Sequence, residues 1–206
     1  DINGRLPQME KQPTIKLVNA YHPLLYLQNK QHKKTTIPLN LNLDVQNRIL
    51  IISGPNAGGK SITLKTVGLL QMMLQSGLLV SAAEGSVMSL FQQIHSDIGD
   101  SQSIEYELST YSSRLVKMKY FLEHANRRTL VLIDEFGTGS DPELGGAIAE
   151  VILEELAKKK AFGIVTTHYT NIKLVAENLH GVTNACMVFD AETLQPKYEL
   201  LVGQPG

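Results

Sequence analysis

Three short runs carry apolar residues without alternation: "ILIIS" at 49–53, "TLVLI" at 129–133 and "FGIVTT" at 162–167. Each precedes a turn and then a helical pattern, as strands do when both faces of a parallel sheet are buried. They predict an α/β core. Helical spacing predicts four helices: 61–76 closed by Gly77, about 104–124, 142–160, and 170–180 closed by Gly181. Ahead of the core, 14–18 and "IPLNLNLD" alternate apolar and polar residues, as half-buried strands do, with the polar, basic loop "NKQHKK" between them. After it, "ACMVFD", the turn "AETLQP" and "KYELLVG" predict a hairpin. The expected organisation is one domain: an antiparallel strand cap over 1–48, a core over 49–185 and a C-terminal hairpin over 186–206. The chain shows no internal repeat or low-complexity segment.

Composition changes this picture little. A chain of 206 residues supports one substantial core. Nineteen Lys and Arg against 20 Asp and Glu give a formal charge of −1, so no strongly basic face is advertised. Any nucleic-acid contact must be local or lie on other parts of the protein. The single cysteine, Cys186, excludes an internal disulfide, and its apolar setting "ACMVF" predicts a buried thiol in a reducing, cytoplasmic compartment. No run approaches the roughly 18 apolar residues of a membrane span, and no secretory leader is recognisable. The chain opens on Asp1 and stops just after a strand-like run, so it is expected to be a fragment of a longer protein.

Chemistry concentrates after the first buried run. Gly54, Pro55, Asn56, Ala57, Gly58, Gly59, Lys60 and Ser61 match G-x-x-x-x-G-K-[ST] fully, with a strand before and a helix after. Glycines let backbone N–H groups converge on phosphate oxygens at a helix N-terminus whose dipole favours an anion. Lys60 is expected to bridge β- and γ-phosphates, and the Ser61 hydroxyl to coordinate Mg2+. "TLVLIDEF" then delivers Asp134 and Glu135 at the C-terminal end of a buried strand, the ligand side of such sheets. Asp134 suits the magnesium and Glu135 the attacking water. "TTHY" places His168 at another strand end, within reach of the same γ-phosphate, although a lone histidine is as often structural. Asp141 before Pro142 is sufficiently explained as a helix N-cap, and Lys158 to Lys160 as a solvated helix end.

Taken together, "GPNAGGKSITLKT", "SDIGDSQSIEYELSTYSSRL", "TLVLIDEFGTGSDPELGGAIAE" and "TTHY" closely resemble the ATPase domain of the MutS mismatch-repair family. With "YHPLL" upstream, the chain is most similar to the second MutS branch, whose members usually carry a C-terminal Smr nuclease domain. The resemblance covers nearly the whole chain. It implies a P-loop, ABC-type ATPase using ATP and Mg2+ and working as a homodimer with composite sites. The family's signature falls on Ser109, Thr110 and Tyr111, so it implies that Ser109 approaches the partner's γ-phosphate in trans. Tyr111 stands where phenylalanine is commoner, and Ala57 where Met or Thr is frequent. The same segment also reads as an amphipathic helix with Leu108, Leu115, Met118 and Leu122 on its buried stripe.

By the same resemblance, Glu135 and His168 correspond to the water-activating carboxylate and the γ-phosphate histidine. Asp141 falls in the inter-subunit loop, Asn56 and Ile62 join the nucleotide contacts, and Ile37 with His22 are candidates for the adenine side. For the whole protein the resemblance implies action on mismatched or branched DNA, in limiting recombination, through domains outside this chain. Family members are also tied to collided ribosomes. A nucleotide-dependent dimerising module with little turnover is the rival reading. A transporter-like ATPase predicts an LSGGQ-like signature where this chain has "ELSTYS".

Overall fold

The computed structural model describes residues 2–55, 58–99, 107–138, 142–190, 192–193 and 195–206 and, for 107–111, the backbone alone. In chain order the elements are β1 (Gln8–Met9), β2 (Ile15–Ala20), α1 (Pro23–Gln31), β3 (Leu39–Leu43), β4 (Ile49–Ser53), α2 (Lys60–Gln75), β5 (Val87–Met88) and β6 (Gln93–Asp97). They continue as α3 (Glu107–His124), β7 (Thr129–Ile133), α4 (Pro142–Lys158), β8 (Phe162–Thr166), α5 (Thr170–Asn178), β9 (Val182–Asp190) and β10 (Gln195–Val202).

The three apolar runs become the centre of a six-stranded sheet ordered β10-β9-β4-β8-β7-β6. Every pair in it is parallel except β10 with β9. All residues of β4, β7 and β8 are buried, and successive residues feed opposite faces. Leu50, Ile52, Leu130, Leu132, Phe162 and Ile164 enter one core with α2 residues such as Leu64 and Val67. Ile49, Ile51, Val131, Ile133 and Val165 enter the other, with Phe121 of α3, Leu153 of α4 and Ile172 of α5. This is an α/β P-loop architecture with helices on both faces. Among the described residues no helix is long and apolar enough to cross a membrane.

Five features differ from the sequence reading. The small sheet, ordered β1-β5-β2-β3, takes Val87–Met88 from within the 49–185 stretch and contains one parallel pair, β1 with β5. A two-residue strand is too short to show a period. Pro23–Gln31 is a helix where only a loop was expected, capped at its start by His22 and with Pro at its first position. β6 was missed because "QIHSD" is a half-buried edge strand without an apolar run. β9 begins at Val182 and pairs in parallel with β4, so the C-terminal hairpin is built onto the main sheet. The expected Cys186 burial is partial.

Close packing of β8 depends on Gly163, where an added Cβ would lie 2.6 Å from the Val131 carbonyl oxygen. A backbone oxygen in a central strand cannot swing aside, so Gly163→Ala is expected to lower stability by about 1–3 kcal/mol. Gly99, which has nothing within 4 Å of that position, should tolerate alanine to within about 0.5 kcal/mol. Urea unfolding of the two variants checks the contrast.

Candidate functional site

β4 leads straight into the glycine loop, and α2 begins at Lys60. Gly54 (φ 123°) and Gly59 (φ 96°) both occupy backbone regions that side chains disfavour. Gly59 is the helix N-cap and makes no side-chain capping hydrogen bond. A glycine-capped helix start of this kind suits an anion site. Lys60 is 3 % exposed and donates from Nζ to the Gly54 carbonyl oxygen at 2.5 Å. Burial pulls its pKa below the usual lysine value, while Asp134 and Glu135 pull it back up.

Asp134 and Glu135 follow β7 directly. Asp134 is buried and accepts a 2.5 Å hydrogen bond from the Thr166 hydroxyl at the end of the neighbouring strand. The same hydroxyl accepts from the Glu135 N–H at 2.8 Å. Thr166 is fully buried, and one side chain thus orients both acids. Glu135 has φ 51°, an unusual conformation for a residue with a Cβ. Such a backbone is strained by roughly 1–3 kcal/mol and is found where the surroundings over-determine it. The Glu135 carbonyl oxygen accepts from the Thr138 hydroxyl at 2.7 Å, which holds the peptide from its other end.

His168 is exposed just beyond β8. Burial and then Lys60 push its pKa below the ordinary 6.5, opposed by Glu135 and Asp134. Because β4, β8 and β7 lie side by side in parallel, Lys60 after β4, His168 after β8 and Asp134 and Glu135 after β7 stand at the same edge of the sheet. Ser61 is half-buried on the first turn of α2. Asn56, Ala57 and Asp141 lie outside the described residues, and Ser109 falls on the part of α3 described by its backbone alone.

Beside the glycine loop opens a cleft of about 510 Å³, within the usual size of ligand pockets. Ile37 and His22 line it, together with Gly59 and Ile62. It also brings in Met187 and Tyr198, which the sequence reading did not single out. Tyr198 has φ 56° and sits where the β9–β10 register shifts, between Pro196 and Leu200. The irregularity re-aims the ring toward the loop, so that a Cβ on Gly59 would meet Tyr198 Cδ1 at 3.2 Å. His22 spends its ring nitrogen as acceptor for the Leu25 N–H at 3.4 Å. Burial, reinforced by Lys65, lowers its pKa.

The donor set suits a nucleotide with magnesium. A glycine-capped helix N-terminus, a lysine and a largely apolar cleft beside the loop suit a triphosphate, a sugar and a base. Among the described residues no group of three His, Cys, Asp or Glu forms a metal cage. Mg2+ needs none: one hydroxyl and one carboxylate suffice when phosphate and water complete the shell. Thr166 and Tyr198 left little trace in the sequence, because a hydroxyl at a strand end and an aromatic in a hairpin have many ordinary explanations.

A family model described as MutS domain V matches residues 50–203. The Endonuclease MutS2 of Lactobacillus acidophilus is 47% identical over 200 residues, covering 97% of this chain and 25% of that protein. The Endonuclease MutS2 of Thermomicrobium roseum is 48% identical over 192 residues, covering 93% of this chain and 24% of its own. That of Staphylococcus aureus is 43% identical over 205 residues, the whole of this chain and 25% of the relative. The chain thus spans about a quarter of the length of these relatives. With the glycine loop, the paired acids and the strand-end histidine in one place, and the match running from β4 to the end of β10, this chain belongs to the MutS family.

Proposed function

We propose that this domain binds ATP with Mg2+ and hydrolyses it at a site completed by a second copy of the chain. Supporting this is one observation above all: a buried lysine at a glycine-capped helix start lies at the sheet edge where Asp134, Glu135 and His168 follow the neighbouring parallel strands. In this reading the loop from Gly54 to Ser61 holds the phosphates, with Asn56 and Ala57 within it. Lys60 neutralises developing charge, Ser61 and Asp134 hold the magnesium, and Ile37, Ile62, His22, Met187 and Tyr198 enclose the base. Bound Mg2+ supplies charge stabilisation at the phosphate oxygens. Glu135 orients the water and takes its proton. His168, held neutral before nucleotide arrives, donates a hydrogen bond to the γ-phosphate. Ser109 of a second copy supplies the missing contact in trans.

The whole protein's work is part of the proposal. The relatives' printed name, Endonuclease MutS2, together with the family, supports a DNA-acting homodimer in which nucleotide-driven closure is passed to domains outside this chain. Mismatched or branched DNA and a role in suppressing recombination fit that reading, with a cytoplasmic location. Any nuclease step that the relatives' name carries would lie on segments outside this chain. A ribosomal partner rests on the family resemblance alone. The second reading, a nucleotide-dependent clamp with little turnover, is favoured by the exposure of His168, which leaves that side of the site open to a second copy.

Turnover measured against protein concentration decides between them. A composite-site ATPase should gain specific activity as copies meet, and Glu135→Gln should lower kcat by about 10²–10⁴-fold. Flat turnover that ignores the substitution would leave only the clamp. Nucleotide binding has its own check: Mg-ATP at about 100 times its Kd should stabilise the domain by about 2.7 kcal/mol, and Lys60→Ala should abolish the shift in melting temperature.

The histidines fix the sign of a pH effect. His168, His22 and His95 all have folded pKa values below the ordinary 6.5, so the unfolded chain binds their protons more readily. Their contribution is intact above 6.5 and is lost as pH falls through the lower folded values. Thermal unfolding of the nucleotide-free protein should therefore show a lower melting temperature at about pH 5.5 than at about pH 7.5. His168→Gln, which cannot take up the proton, should show a smaller fall. An equal fall would assign the whole effect to other groups.

A further inference from the structure

Asp97, at the C-terminal end of the edge strand β6, is a buried carboxylate held by two cations from a single helix. Arg114 Nε lies 2.8 Å from one of its oxygens and Lys117 Nζ 3.0 Å from the other. These ion pairs alone would anchor α3 to the sheet edge. Arg114 reaches further. Its Nη2 donates to the Asp134 carbonyl oxygen at 2.6 Å, and its Nη1 to the Thr138 hydroxyl at 3.0 Å. That hydroxyl donates in turn to the Glu135 carbonyl oxygen, and the Asp134 N–H donates to the Asp97 carbonyl oxygen at 3.0 Å.

One guanidinium therefore closes a hydrogen-bonded ring around the peptide that joins the two acids. The peptide enters Glu135 in its left-handed conformation, and from the opposite side the Thr166 hydroxyl and the Asp134 carboxylate accept from its N–H. Arginine suits this place for a physical reason. Its planar fork presents several donors in fixed directions, whereas a lysine offers a compact point charge. Lys117, which reaches Asp97 alone in the same cluster, shows the contrast.

The packing of α3 adds a second consideration. This helix lies at the edge of the sheet, against β6 and α4. A void of about 30 Å³, lined by Arg114, Met118, Phe136 and Ile152 among others, separates it from α4. That is room for about one water. Across this gap Arg114 links the helix directly to the backbone of the acids. The helix begins at Glu107, about two turns ahead of Arg114.

We infer that Arg114 is a positioning residue for hydrolysis: it sets the backbone of Glu135, and through it the position of α3 reaches the acids of the same subunit. The inference rests on the ATPase reading above and deepens it. A push on the first turns of α3, from nucleotide held by a second copy, travels along a rigid helix to the guanidinium. Nucleotide bound at one site thereby adjusts the carboxylate that acts at the other.

The test uses the full-length protein and compares wild type with Glu135→Gln, Arg114→Met, Arg114→Lys and Lys117→Met, measuring kcat and KM for ATP. Both Arg114 variants should keep KM within about threefold and lose about 10–100-fold in kcat, since about 1 Å of misplacement at a reacting group costs up to ~10²-fold. Lys117→Met, which removes a cation from the same carboxylate without touching the peptide, should keep kcat within about twofold. If Arg114→Met does not fold, Arg114→Lys and Thr138→Val report on the same ring.

Wild-type kcat in Arg114→Lys overturns the inference. So does a fall in Lys117→Met as large as in Arg114→Lys, because loosening α3 would then be enough, and so does a loss confined to KM. Failure of the ATPase reading has a different signature, equal turnover in wild type and Glu135→Gln, and it overturns both.

Discussion

The ammonium of Lys60, withdrawn from water at the start of α2, is the constraint around which the rest is arranged. A cation 3 % exposed is unfavourable unless opposite charge and acceptors lie close by. The Gly54 carbonyl supplies one acceptor, and Asp134 and Glu135 supply the field that partly restores its charge. Both acids follow a different strand, 74 and 75 residues beyond the lysine. They can reach the lysine only because β4, β8 and β7 lie side by side in parallel and end on the same edge. The sheet's order is therefore what makes the buried charge tolerable.

The same edge stores strain. Glu135 adopts a left-handed backbone without being glycine, and hydrogen bonds from three elements keep it there: Thr166 from β8, Thr138 from the following turn and Arg114 from α3. Strain of this kind orients a carboxylate more narrowly than a relaxed strand end would. It also makes the carboxylate responsive, since any shift of the supporting groups changes its direction. A helix seated over a small void at the sheet edge is a physically plain way to deliver such a shift. The base side follows a similar logic: an irregularity between β9 and β10 turns Tyr198 toward the glycine loop, where a regular strand would have kept the alternating pattern.

Much of this was legible in the amino-acid order. The runs 49–53, 129–133 and 162–166 are buried at every position and carry no polar alternation because both sheet faces are covered, a constraint strong enough to read without any partner in view. The loop from Gly54 to Ser61 and the pair Asp134 and Glu135 announced themselves because phosphate chemistry admits few alternatives at that spacing. Less could be read where structure depends on pairing. β5 has two residues and β6 lies half-buried at an edge, so neither imposes a pattern of its own. α1 was hidden because its polar residues face solvent and Pro23 alone is buried.

What the sequence by itself determined was the set of chemically demanding positions: buried parallel strands, a glycine loop with Lys60, and acids at a strand end. Each is dictated by local rules of burial, backbone freedom or charge. Only the tertiary structure decided that Thr166 would hold both acids, that Tyr198 and Met187 would wall the cleft, and that Arg114 would join Asp97 to the peptide of Glu135. Those contacts join residues between 17 and 139 positions apart, and hydroxyls, aromatics and arginines are common enough that nothing local distinguishes them. Their roles arise from which strand ends lie side by side, a property of sheet order that no short stretch of sequence contains.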